Sequence, residues 1–112
     1  MPKYLALFSY SETAIAAMIE NPADREAAVR HVAESVGGRL ESFYWMRGQF
    51  DGMAIIDAPD SITMAGIESA VKGSGAAVHS ETHDLFSPDD IQHILEHARV
   101  ARSNFAQPGQ SS

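Results

Sequence analysis

The sequence predicts an α+β domain, and three observations carry that prediction. Its periodic segments run strand, helix, strand, strand, helix, strand, which is the ferredoxin-like βαββαβ order, with one further helix added at the C-terminal end. The two middle strands are joined by a glycine-containing turn, which makes them an antiparallel hairpin. A chain of 112 residues, 45% of them hydrophobic, supports one core of ordinary composition. The expected body is a four-stranded antiparallel sheet with helices on one face, a single domain over residues 1–102, followed by a flexible tail over 103–112.

Each element has its own local signal. "KYLALFSY" (3–10) is a short aromatic and aliphatic run of strand type. "SETAIAAMIE" (11–20) opens on Ser11 as N-cap and places Ala14, Ile15, Met18 and Ile19 at helical spacing. A second helix signal follows at once, with Asn21 as cap, Pro22 in the first turn and Asp24 at the third position. Val29, Val32, Ala33 and Val36 form its apolar stripe, and Gly37-Gly38 supplies the left-handed stop. "RLESFYWMR" (39–47) and "FDGMAIIDA" (50–58) are the hairpin strands, with Gly48-Gln49 as the tight turn. Pro59-Asp60-Ser61 opens the next helix and Gly73-Ser74-Gly75 closes it. "AAVHSETHDLF" (76–86) is the fourth strand, and Ser87-Pro88-Asp89-Asp90 caps the final helix with two acids in its first turn.

An antiparallel sheet covered on one face should alternate apolar with polar residues. This one does not. Tyr4, Ala6, Phe8 and Tyr10 share one face of the first strand, yet Leu5 and Leu7 occupy the other; Tyr44 and Met46 oppose Phe43 and Trp45, and Met53 and Ile55 oppose Ala54 and Ile56. Both faces call for burial, and two copies packing sheet on sheet would satisfy them as a homodimeric α/β barrel.

Eight Lys and Arg stand against fifteen Asp and Glu, a net charge of −7, which opposes nucleic-acid binding, and no basic amphipathic stretch suggests a membrane surface. The chain has no cysteine, so disulfides, thiolate metal sites and a cysteine nucleophile are excluded. Residues 1–16 have the outline of a signal peptide, but Ser9, Ser11 and Glu12 interrupt the apolar run, and the expected location is the cytoplasm.

The hairpin segment "GQFD" (Gly48, Phe50, Asp51), the preceding "GGRLESFY", the following "AIIDAPD" and the Asn-Pro-x-x-Arg run at 21–25 together resemble the GYD domain family over residues 3–86. The resemblance implies a dimeric α/β barrel of the ferredoxin-like superfamily, a group that includes small-molecule monooxygenases, isomerases and ligand-binding proteins. Phe50 stands where the family motif has tyrosine, so no phenol hydroxyl at that position can be essential here.

Candidate chemistry is sparse. "HILEH" (93–97) spells H-x-x-E-H, but no acidic residue follows Glu96 to complete a zinc site, and His93 points nearly opposite the stripe Ile91, Ile94, Leu95, Ala98, so these histidines read as solvated surface. In "HSETH" (79–83) His79, Glu81 and His83 share one face of a strand; His79 and His83 stand about 13 Å apart along it, too far for one ion to take all three. They are candidates for acid–base work or a weak metal site completed by another strand, against the plainer role of polar protection for an edge strand. Asp51 is a candidate base whose plainer role is fixing the hairpin turn. Tyr10, Tyr44, Trp45 and Phe50 are candidate pocket residues, and His31, beside an apolar stripe, is expected to be partly buried.

The leading expectation is a homodimeric small-molecule-binding barrel with its pocket between sheet and helices. The alternatives are a small-substrate enzyme, cofactor-independent or metal-assisted with His79, His83 or Asp51 as base, and a pure dimerisation module. No residue pattern assigns a cofactor, ligand or reaction.

Overall fold

The period-two geometry of the first strand sorts its side chains onto two faces, and the helices cover the one that carries Tyr4, Phe8 and Tyr10. The computed structural model describes residues 1–109, in the order β1 (Lys3–Tyr10), α1 (Glu12–Glu20), α2 (Arg25–Ser35), β2 (Arg39–Trp45), β3 (Gly52–Asp57), α3 (Ser61–Gly73), β4 (Ala77–Leu85) and α4 (Pro88–Asn104). The strands pair antiparallel throughout in the order β2-β3-β1-β4, the ferredoxin-like α+β arrangement with an appended helix. Tyr4, Phe8 and Tyr10 are buried beneath the helices with Ala54, Ile56 and Leu40. Phe8 meets Tyr10 edge-on at 5.5 Å, Phe43 meets Trp45 edge-on at 5.8 Å, and Tyr10 and Trp45 lie 5.6 Å apart, an aromatic cluster contributing about 0.5–1.5 kcal/mol per pair beyond burial.

The other face is uncovered. Leu5, Leu7, Met53 and Ile55 are half-buried by one another, and Tyr44 beside them is 64% exposed. One end of this face carries an ionic cluster: Lys3 donates to Asp57 at 2.8 Å and Glu41 at 2.7 Å, and Arg39 donates to Asp57 at 2.7 Å. First Lys3 and then Arg39 hold the Asp57 carboxyl below the usual carboxylate range, against the opposing effect of its burial.

Helix boundaries differ from expectation where two signals competed. Asn21 closes α1, its N–H donating to the Ala17 carbonyl at 2.9 Å, and Asp24 caps α2 by accepting the Ala27 N–H at 3.0 Å. Pro22 therefore lies between the helices, where a residue without an N–H costs nothing. The stripe of α1 is narrower than the spacing implied: Ala14, Ile15 and Met18 pack on the core while Ile19 is 73% exposed. Val36 is the C-cap of α2 rather than part of its buried face, and Gly37 (φ +82°) and Gly38 close the helix by donating to Glu34 and Ala33.

The hairpin connection is six residues, 46–51, not the two-residue Gly48-Gln49 turn expected. It is bolted to β1 and to itself: Ser9 Oγ donates to the Gln49 carbonyl at 2.9 Å, the Asp51 N–H to Phe8 O at 2.9 Å, and the Met46 N–H to Asp51 O at 2.8 Å. Those bonds tie both ends of the loop to the sheet, and Gly48 within it adopts φ +135°.

α4 is well specified and lightly packed. Ser87 Oγ accepts the Asp90 N–H at 3.1 Å and Asp90 returns the favour to the Ser87 N–H at 2.9 Å, a complete capping box with Pro88 in the first turn. None of its residues is buried; Leu95 is 58% and Val100 62% exposed. The chain is accordingly elongated, 62 Å in its longest dimension, with a radius of gyration of 18.2 Å where a compact chain of this length gives about 13 Å. The helix runs two residues past Arg102 into the expected tail, and residues 110–112 of that tail lie outside the described residues.

Candidate functional site

The helices do not close over the middle of the sheet. α2 packs on β2 and α3 on β4, so the strip above β1 between them is filled only by whatever side chains lean inward. Several of those side chains are small: Ala6 on the floor, Ala28 on α2, Ala70 on α3 and Ala76 just before the last strand. A cavity of about 230 Å³ results. Val29 and Val32 form one wall, Met64, Ile67 and Val71 the other, and Phe8 and Ile56 complete the apolar lining.

Two charged side chains reach this lining, and they differ in how far they are committed. Glu68, on α3, accepts hydrogen bonds from the Thr82 hydroxyl, from Ser80 at 3.4 Å and from Lys72 at 3.0 Å. The Thr82 bond, then Lys72, hold its carboxyl below the ordinary range in spite of partial burial. Arg25, in the first turn of α2, lies over the Tyr10 ring with its guanidinium carbon 5.6 Å from the centroid, and its Nε donates a long bond of 3.5 Å to the Tyr10 hydroxyl. Among the described residues no carboxylate pairs with it.

Of the candidate catalytic, metal-binding and pocket residues named from the sequence, Tyr10 alone lines the cavity. Trp45 lies at a tilt against Tyr10 but is 53% exposed at the rim of the aromatic cluster, Phe50 is buried within the hairpin loop, and Tyr44 lies on the uncovered face. Asp51 sits in the hairpin loop with its Oδ2 accepting the Tyr10 N–H at 2.9 Å, away from the cavity. His79, Glu81 and His83 pair with Ser9, Leu7 and Leu5, which puts the row on the uncovered face, at the edge strand. His83 Nε2 contacts Glu81 Oε2 at 3.0 Å, both side chains about half exposed. No three His, Asp or Glu side chains among the described residues are grouped to hold a metal ion. On α4, His93 is 76% exposed with Glu96 at 3.8 Å. His31 is exposed rather than partly buried, because α2 rests on the sheet through Val29, Val32 and Ala33 and turns residue 31 outward.

The polar groups that do reach the cavity, Arg25, Glu68, Ser80 and Thr82, carried no role in the sequence reading. Ser80 and Thr82 were findable as the alternate set to the histidine row, since neighbouring strand residues face opposite ways. Arg25 had only its place in the Asn-Pro-x-x-Arg run, and Glu68 no signal at all.

The sequence model of the GYD domain matches residues 4–95, most of the chain. No curated protein matches it. Among solved structures, 30S ribosomal protein S6 from Thermotoga maritima superposes with a TM-score of 0.53 at 14% identity, covering 88% of this chain and 97% of that one. A protein named FFRP-DM1 gives 0.52 at 11% identity, covering 77% of this chain and all of that one. Likeness at such identities extends to the fold and no further.

Proposed function

This chain belongs to the GYD domain family, and from that premise we propose that it is a homodimeric, cytoplasmic protein that binds a small, largely apolar molecule between its sheet and its helices. The observation that carries this reading is the cavity of about 230 Å³ between α2, α3 and β1. Apolar holes of ~150 Å³ take up benzene, so this one suits a single ring or a short branched chain. It is a concave apolar space with a few polar groups at its margin, the usual form of a small-molecule site.

Homodimerisation is supported by the second face of the sheet. Leu5, Leu7, Met53 and Ile55 form a continuous apolar strip, bounded by the Lys3–Asp57–Arg39 cluster at one end and the histidine row along β4. A second copy is the occupant whose shape and chemistry match that strip, since a two-fold pairing sets each strip on its twin. The same copy offers further cover for the apolar stripe of α4, none of whose residues is buried by its own body.

A catalytic reading has one observation in its favour. If two sheets face each other, His79, Glu81 and His83 look into the space between them, where acid–base chemistry on a small substrate becomes feasible. The cavity, by contrast, holds none of the three candidate bases.

The direct test of the cavity is an NMR titration with toluene. Saturable amide shifts confined to residues around Val29, Val32 and Ile67 are expected; shifts spread over the surface without saturation would remove the reading. Sedimentation equilibrium of the untagged protein tests the pairing in parallel, with a single-chain mass at high concentration as the opposing result.

A further inference from the structure

The cavity is not neutral toward the charge of what enters it. Its two charged residues stand in different states. Glu68 has every strong partner it needs: two hydroxyls and an ammonium group converge on its carboxylate. A ligand cation aimed at it would have to displace Lys72 and compete with both hydroxyls. Arg25 is the reverse case. In a chain with fifteen acids against eight basic side chains, its guanidinium has found no carboxylate among the described residues. It is partly buried at the edge of an apolar cavity, placed over the Tyr10 ring, with one long bond to the Tyr10 hydroxyl. Beyond that Nε bond, the guanidinium N–H groups donate to no other group among the described residues, so the terminal donors are free for something else. That geometry is suited to a planar two-oxygen acceptor.

Resting on the reading of this cavity as a ligand site, we infer that its ligand is a small monocarboxylate, with an apolar ring or branched chain in the cavity and its carboxylate paired with Arg25. A monoanion is favoured over a phosphate because one guanidinium faces the site and the Glu68 carboxylate lies on the same lining; a dianion would remain half-compensated beside a fixed negative charge. A neutral ligand would leave the Arg25 donors where they are now. Tyr10 is a positioning residue in this arrangement, since it holds the guanidinium by its ring and hydroxyl and need not touch the ligand.

The experiment compares benzoate, benzamide and toluene as probes on the full chain, by NMR titration of the wild type, Arg25→Gln and Arg25→Lys. Benzoate is expected to bind the wild type about tenfold or more tightly than benzamide or toluene, to lose that advantage in Arg25→Gln and to recover part of it in Arg25→Lys. Toluene should bind all three proteins alike, which also certifies that the variants are folded. Benzoate binding no tighter than toluene, or an advantage for benzoate that survives Arg25→Gln, overturns the inference while leaving the cavity a ligand site. Failure of all three probes to bind the wild type removes the ligand site itself, and the inference with it.

Discussion

The carboxylate of Asp51 accepts the backbone N–H of Tyr10 at 2.9 Å, at the point where β1 leaves the sheet. Its own N–H bonds the Phe8 carbonyl and its carbonyl takes the Met46 N–H, so a single residue ties the hairpin loop to the strand that floors the cavity. Asp51→Ala should cost about 1–3 kcal/mol of folding stability, since it leaves the Tyr10 N–H without its acceptor. Asp51→Asn keeps an acceptor oxygen and should cost less. Urea unfolding measures both; equal, negligible losses would show that the bond contributes nothing.

The motif residues around Asp51 are thus legible as architecture: Gly48 for its positive φ, Phe50 as the buried anchor of the loop, Asp51 as the bolt. The sheet faces were legible too, because alternation along "KYLALFSY" and "MAII" assigns each side chain a side. The length of the hairpin loop was not, since it is set with bonds from Ser9 and Phe8 on β1 to Gln49 and Asp51, partners distant in the sequence. Nor was the cavity. It arises because α2 and α3 settle over different strands and alanines stand at four positions of the lining between them, a matter of helix placement that no local pattern encodes.

Gly52 lies under the Phe8 ring, so close that a Cβ there would stand 2.6 Å from a ring carbon. Phe8 is pinned by Tyr10 and Phe43, so the ring cannot swing aside freely. Gly52→Ala should destabilise by about 1–3 kcal/mol through overpacking. Thermal unfolding checks it, and an unchanged midpoint would mean that the aromatic cluster yields without strain.

Asp57 gives the protein a specific acid sensitivity. Its folded carboxyl titrates below its unfolded value because of Lys3 and Arg39. Its contribution is therefore complete above the unfolded value, about 3.9, and disappears as the pH falls through the lower folded value. Asp57→Asn should be less stable than the wild type by about 1.5–3 kcal/mol near neutrality, with the gap narrowing below about pH 4. Denaturant melts at pH 7, 5 and 3 measure the gap; a constant difference would assign the effect to packing instead of charge.

Filling the cavity should separate stability from binding. Ala6→Leu projects a larger side chain from the floor into the empty space. It should raise folding stability by about 0.5–2 kcal/mol while abolishing saturable toluene shifts. Loss of stability together with retained toluene binding would place the ligand space elsewhere.

Native mass spectrometry of the untagged protein, sprayed from neutral volatile buffer at micromolar concentration, puts the whole account to one measurement. The predicted result is a species of twice 12.1 kDa that retains a small organic molecule on each chain, released on collisional activation. A bare single chain of 12.1 kDa at the same concentration, with nothing retained, contradicts both the pairing through the uncovered face and the occupied cavity beneath the helices.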